Sequence, residues 1–416
     1  MEDKTPMSAI VRTAQNIKAD VLIVGGAYAG LSTLVALKNH LKERHERKVS
    51  VAMVEPKAGL LNILGIPRAI VDPDFAKTQF VPFEKLDDLS LDRLISSDSY
   101  VQNHLGASLS PGLRDYLDIT YVQGKVLQVE ENSAQYTLND SGQSAKIDFS
   151  YCVLAAGRNR PWPTSPEAPN FDAYLKEMAE FNSQVRQCKT VGVVGAGAVG
   201  IEIAGDIKHK YPEIDVHLFH PHATFPAEPL TEKFKSTVRE SLERSGVKVH
   251  TGVRVKEEEP GQLLLPSGER VSVDFTYWCT GFRNNTEILG GPLAQFVSEK
   301  NNVHVNEYLQ LQRPGGDSVA NVFCIGDMVE MPIIKSAGWA LYMGQQVANN
   351  LVGAMFEGRL VEPFPDLSQM PRGMVIVAGN GEIVSELTGE VELNHPGYVE
   401  EYKDYCVGKI RATLGA

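Results

Sequence analysis

Cysteine is scarce in this sequence: there are five in 416 residues, Cys152, Cys188, Cys279, Cys324 and Cys406, odd in number and far apart. That spacing excludes a disulfide scaffold and a zinc cluster, and fits a reducing compartment. No stretch approaches the ~20 apolar residues needed to cross a bilayer. Basic charge is also in deficit, 40 Lys and Arg against 52 Asp and Glu, for a net charge of −12. Nucleic acid and anionic membranes are therefore not the expected partners, since both reward contiguous cationic surface. The opening residues MEDKTPMSAIVRTAQNIK hold no apolar signal core and do not begin Met-Gly. Neither secretion nor myristoylation is expected, and the expected location is cytoplasmic, with at most peripheral contact to an organelle membrane.

What is present is glycine in pattern. The length predicts two or three domains. Asp20-VLIVGGAYAGLSTLVALKNHL reads as a buried strand (Val21–Val24), a glycine turn and a helix (Leu31–Leu41). Gly25 and Gly30 take the first and third places of the G-x-G-x-x-G fingerprint, with Gly26, Ala29 and an aromatic Tyr28 between them. The middle place is Ala27, a departure that puts a methyl where backbone normally approaches a pyrophosphate. The next strand, Val49–Val54, ends at Glu55, placed to accept hydrogen bonds from an adenosine ribose. Strand, turn, helix, strand and acid together predict a dinucleotide site.

The same grammar returns at Thr190-VGVVGAGAVGIEIAGDI, where Val191–Val194 is the strand and Gly195, Gly197 and Gly200 complete the fingerprint. Its second strand, Val216–Phe219, ends in His220-Pro221-His222 instead of an acid. The usual repulsion of a ribose 2′-phosphate is then absent, so both NADH and NADPH are admissible. Packing or nucleotide contact accounts for His217, His220 and His222 better than a metal does, and no metal site is expected.

Three strand ends carry small residues: Ala155-Ala156-Gly157, Thr280-Gly281 and Gly326-Asp327, the last followed by a long helical segment beyond Pro332. Asp327 is placed to meet a cofactor hydroxyl. These ends predict an α/β fold of two Rossmann-like nucleotide-binding domains, the second inserted in the first. The first spans 18–160 and 286–362 and the second 161–285, with a small α+β segment at 363–416. In that last segment, Met374–Val377 and Glu382–Leu387 read as strands around Gly379-Asn380-Gly381, and Tyr398–Thr413 reads as a final helix. A hairpin is also expected at Gln262–Pro266 and Glu269–Val273.

On these residues, from the first fingerprint and Glu55 through Glu202, Thr280-Gly281, Gly326-Asp327 and Lys335, the chain resembles the FAD-dependent pyridine-nucleotide-disulfide-oxidoreductase-like flavoproteins. It is most similar to their apoptosis-inducing-factor-like group, with the mitochondrion-associated inducer of death homologues and ferroptosis-suppressor-type quinone reductases. The resemblance implies a fold of the glutathione-reductase type. It implies FAD on Gly25, Gly26, Ala27, Ala29, Gly30, Glu55, Ala156, Gly157, Gly326 and Asp327. NADH or NADPH, as a diffusing reductant, would sit on Gly195, Gly197, Gly200 and Gly281. Lys335 and Glu202 would be the catalytic residues beside the flavin. Electrons would pass to a small acceptor such as a quinone, from a monomer or homodimer. Besides Ala27, one feature departs from the quinone-reductase relatives and another from the disulfide reductases. No cysteine pair follows Glu55, which removes the dithiol relay, and a His-containing stretch is replaced by Gly59-Leu60-Leu61-Asn62. A flavin monooxygenase, another specialised oxidoreductase and a slow nucleotide-sensing flavoprotein are the alternative readings.

Overall fold

The computed structural model describes residues 9–44, 46–86, 89–160 and 164–415. Its first unit is built on Ile17–Val24 (β1), in which every residue from Val21 onward is buried. A strand covered on both faces has this pattern. The helix Tyr28–Arg44 (α1) starts three residues before the sequence-based boundary and is followed by Val49–Glu55 (β2). Next come the long strands Leu117–Val129 (β3) and Ser144–Leu154 (β4).

The second unit has strand Thr190–Val194 (β5), helix Ala198–Lys210 (α2), and strands Asp215–His220 (β6) and Phe275–Trp278 (β7). The chain then returns to the first sheet through Ser318–Cys324 (β8) and ends that unit in helix Ala337–Val352 (α3).

The central path of the first sheet runs β3, β2, β1, β4, β8 in parallel register, with Val24 opposite both Val54 and Leu154. The second sheet is wholly parallel: Lys248–Thr251, β6, β5, β7. The two crossings between the sheets run side by side as a short antiparallel pair, Arg158 opposite Asn284 and Asn159 opposite Arg283. This is the α/β architecture expected from two fingerprints. The hairpin at Gln262–Leu264 and Arg270–Ser272 forms as predicted.

The first half of helix α1, residues 28–35, is buried on every side, and α3 packs against it. The two helices touch at Gly344, where a Cβ would lie 2.5 Å from the Ala29 carbonyl oxygen. Ser32 Oγ donates to the Leu341 carbonyl across the same contact.

The C-terminal segment forms a three-stranded sheet, Gly373–Val377, Ile383–Leu387 and Glu390–Leu393, one strand more than expected. It lies against α2: a Cβ on Gly205 would meet the Ala378 carbonyl oxygen at 2.5 Å. The single helix expected over Tyr398–Thr413 is instead two, Pro396–Glu401 and Val407–Thr413. Between them Tyr405 and Cys406 take left-handed backbone, φ 52° and 64°. L-residues adopt that conformation at a cost, and here long-range hydrogen bonds offset it. Asn62 Nδ2 donates to the Tyr405 carbonyl, and the Tyr405 hydroxyl donates to Asp206.

Among the described residues no helix is long and apolar enough to cross a membrane. Nor does any group of three or more His, Cys, Asp or Glu stand where it would hold a metal ion.

Candidate functional site

The two glycine turns have the same geometry. Gly25 and Gly195 adopt φ +103° and +108°, which glycine alone takes readily. A Cβ there would strike the carbonyl oxygens of Ala155 and Cys279, at the ends of β4 and β7, at 2.4 and 2.8 Å. At the third position a Cβ on Gly30 would sit 1.8 Å from the Gly25 oxygen, and one on Gly200 would sit 1.8 Å from the Gly195 oxygen. The middle position differs: a Cβ on Gly197 meets nothing within 4 Å, and Ala27 is exposed in an otherwise buried turn. The Ala27 methyl therefore costs the protein's own packing nothing, and any constraint at that place comes from a ligand. Each turn opens a helix whose first amides lack intrahelical partners, so both fit the pyrophosphate of a dinucleotide.

Behind the first turn, Glu55 accepts from the Gly26 amide at 2.7 Å and from the Lys57 amide at 3.0 Å. Burial pushes this carboxyl up, and the two amides and the Lys57 charge pull it back. Behind the second turn, His220 Nδ1 accepts from the Ala196 amide at 3.2 Å. Gly326, φ +73°, faces the first turn, its Cβ position 3.5 Å from the Ala29 methyl carbon. Asn285 closes the third side, with Nδ2 donating to the Ala156 carbonyl and its amide to that of Gly157.

Next to Gly326, Asp327 forms an ion pair with Arg158 Nε at 2.7 Å. The Arg158 guanidinium also lies 4.2 Å over the ring of Phe282, which is 61% exposed and follows Gly281. Lys335, in the loop before α3, donates to the Val329 carbonyl at 2.6 Å. Burial pushes its ammonium down to about 8; the Asp327 charge opposes that shift and the Arg158 charge adds to it. Asp327 and Lys335, both expected at the site, are thus brought together. Arg158 was missed, although a pair of arginines directly after Ala155-Ala156-Gly157 was its visible signal.

Glu202 is held by a second set of contacts. It lies in the second turn of α2 and accepts from the Val377 amide of the C-terminal sheet at 3.4 Å. Asp206, one turn further along, pairs with Arg68 at 3.3 Å and accepts from the Tyr405 hydroxyl at 3.0 Å. The Arg68 guanidinium lies 4.7 Å over the Tyr405 ring. Burial first, and then Asp206, push Glu202 up to about 8, while Arg68 and Arg160 pull it back. A further chain of contacts ties this cluster to the first glycine turn. The Tyr28 hydroxyl donates to Asn62 Oδ1 at 2.6 Å, and Asn62 holds the Tyr405 carbonyl at 2.9 Å.

All five cysteines are free. Cys152 and Cys324 fill the core on adjacent strands, and burial pushes the Cys279 and Cys324 thiols up to about 12, so neither supplies thiolate at neutral pH.

A model of the pyridine nucleotide-disulphide oxidoreductase family matches residues 19–347. The chain is 25% identical over 400 residues to oxidoreductase OXR1 of Ajellomyces capsulatus, covering 88% of this chain and 80% of that one. It is 24% identical to apoptosis-inducing factor homolog B of Dictyostelium discoideum, covering 82% of each. It is 26% identical to ferroptosis suppressor protein 1 of Homo sapiens, covering 79% of each. Its fold is similar to that of NDH2 from Plasmodium falciparum solved with NADH. The TM-score is 0.69 at 12% identity, covering 96% of this chain and 97% of that one. The activity is that of an oxidoreductase linked to FAD and NAD(P)H, and no disulfide joins its cysteines. The chain belongs to the pyridine nucleotide-disulphide oxidoreductase family.

Proposed function

We propose that this flavoprotein passes electrons from NAD(P)H to a quinone or a similarly apolar small molecule. Residues 18–160 and 286–362 are assigned to the FAD-binding domain, 161–285 to the NAD(P)H-binding domain and 363–416 to a C-terminal cap. When bound, FAD would supply the two-electron redox chemistry that side chains lack, and the residues below would hold it.

The protein's part is to hold and orient. Gly25, Gly26, Ala27, Ala29 and Gly30 admit the pyrophosphate, Glu55 accepts from the adenosine ribose, and Asp327 meets the cofactor's middle portion beside Ala156, Gly157 and Gly326. Gly195, Gly197, Gly200 and Gly281 admit the reductant, and Glu202 orients its nicotinamide end. Lys335 places a positive charge where negative charge develops on the acceptor side. Met331, Ile333 and Ile334 of that loop are only partly buried against the two cores, which suits an apolar acceptor. A cytoplasmic location, with peripheral membrane contact where the acceptor is lipid-borne, accords with the unbridged cysteines.

The observation that carries this reading is the duplicated turn, identical at the 1.8 Å approach of its third glycine, in a chain whose thiols are all unpaired. Steady-state oxidation of NADH with a water-soluble benzoquinone tests it. The wild type turns over the quinone faster than dioxygen. Lys335→Met retains FAD and loses on the order of 100-fold in quinone turnover. A wild type that prefers dioxygen, or a Lys335→Met variant with normal turnover, contradicts the acceptor site as assigned.

A further inference from the structure

Glu202 and Asp206 stand one turn apart on the same face of α2, and both are buried, at 8% and 3% exposure. Their hydrogen-bond partners are divided unequally. Asp206 accepts from the Arg68 guanidinium at 3.3 Å and from the Tyr405 hydroxyl at 3.0 Å. Glu202 accepts from the Val377 amide at 3.4 Å, a long contact. Two carboxylates so close and so shielded from water do not both ionise at neutral pH. The charge settles on Asp206, which has the cation and the hydroxyl donor, and the proton stays on Glu202. Arg68 belongs to the short helix Ile66–Ala69 of the first unit and Tyr405 to the C-terminal segment. Three parts of the chain thus meet to fix this division.

The nicotinamide ring changes charge when it gives up hydride: it is neutral in NAD(P)H and cationic in NAD(P)+. A protonated carboxyl is neutral and can donate, whereas a carboxylate only accepts and attracts a cation. We propose that Asp206 is a positioning residue that keeps a proton on Glu202, so that the nicotinamide site favours the neutral reduced ring over the cationic oxidised one. Loss of that proton reverses the preference. In the protonated state the site lets the oxidised nucleotide go and is free for the next reduced one. This rests on the assignment of the second turn to NAD(P)H and of Glu202 to its nicotinamide end.

The groups around the pair act in the same sense. Burial and then the Asp206 charge raise Glu202, against the Val377 amide, Arg68 and Arg160. Burial raises Asp206 too, but Arg68 and the Tyr405 hydroxyl pull it back, which keeps the charge there. From the C-terminal segment, Tyr402, Tyr405 and Cys406 also face Glu202. Burial holds the two phenols and the thiol well above their ordinary values, so all three are neutral near pH 7. Asp206 is left as the anion beside Glu202.

NAD+ carries no hydride to give, so its binding to the FAD-loaded full chain reads the site without turnover. By calorimetric titration, NAD+ affinity in the wild type rises at least ~5-fold between about pH 6 and about pH 9. Asp206→Asn moves the midpoint of that rise down by at least about one pH unit, and Asp206→Glu, which keeps the charge, restores it. A purely structural Asp206 would weaken binding at every pH and leave the midpoint in place. A flat wild-type profile, or an Asp206→Asn variant with the wild-type midpoint, overturns the inference. Proton release on the wild type, from titrations in buffers of different ionisation enthalpy, needs no folded variant. NAD+ binding at about pH 7.5 releases a measurable fraction of a proton, and binding without release overturns the inference. A pH profile that is unchanged in Glu202→Gln does the same while leaving the second turn assigned to the nucleotide. Should NAD+ fail to bind at any pH, that assignment falls and the inference with it.

Discussion

Arg158 and Asp327 form a 2.7 Å ion pair where the chain crosses between the two sheets, and Lys335 lies in the field of both charges. If turnover requires the Lys335 ammonium, activity falls as pH rises through about 8. Arg158 is one of the groups holding that value down. Arg158→Met is therefore expected to move the alkaline limb of the quinone-turnover profile to higher pH. A limb that stays in place or moves down removes Arg158 from the environment of Lys335.

The glycines of the second fingerprint separate folding from ligand. A Cβ on Gly200 meets the Gly195 oxygen at 1.8 Å, whereas one on Gly197 meets nothing. Gly200→Ala is expected to cost several kcal/mol, on the scale of severe overpacking, and to lower the Tm by many degrees. Gly197→Ala leaves the Tm unchanged while weakening NADH binding. Thermal unfolding of each variant, followed by NADH titration, checks both halves.

The Glu202 carboxyl titrates near 8 in the folded chain against an ordinary 4.5. The folded state therefore binds more protons than the unfolded state between those values, and this group's contribution to stability is lost as pH rises through that window. Glu202→Gln, permanently neutral, should gain on the wild type progressively across the same window, by roughly 4–5 kcal/mol at its upper end. Denaturant unfolding at about pH 5 and at about pH 8 measures the gain. An advantage that is constant or shrinking with pH shows that Glu202 is ionised throughout.

Tyr405 ties the C-terminal segment to both nucleotide units through Asp206 and Asn62. Tyr405→Phe keeps the ring over Arg68 but leaves buried Asp206 short of one donor. A loss of about 1–3 kcal/mol is expected, the cost of a buried acceptor deprived of its hydrogen bond. Hydrogen exchange should show faster opening of Pro396–Thr413 in that variant, and unchanged protection would place the anchor elsewhere.

Legibility in the sequence followed the range of the interactions. The glycine turns were readable because their constraint is local: Gly30 is set by Gly25, and Gly200 by Gly195. Glu55 and Asp327 were readable from their places at strand ends. Arg158 was not, because its meaning depends on two crossings that pair Arg158 with Asn284 across the chain. Tyr398–Thr413 carries helix-forming residues, but at the break the Tyr405 carbonyl is held by Asn62, 343 residues away. The position of Glu202 was clear as helical, yet its contact with Val377 depends on the C-terminal sheet folding back onto α2.

Anaerobic stopped-flow mixing of the FAD-loaded enzyme with NADH and, separately, NADPH tests the central claim most directly. Both nucleotides are expected to bleach the flavin absorbance, with rates within ~100-fold of each other, a difference below about 2.7 kcal/mol in transition-state stabilisation. A quinone added to the bleached enzyme restores the oxidised spectrum. Failure of both nucleotides to bleach a tightly bound flavin contradicts the account at its root.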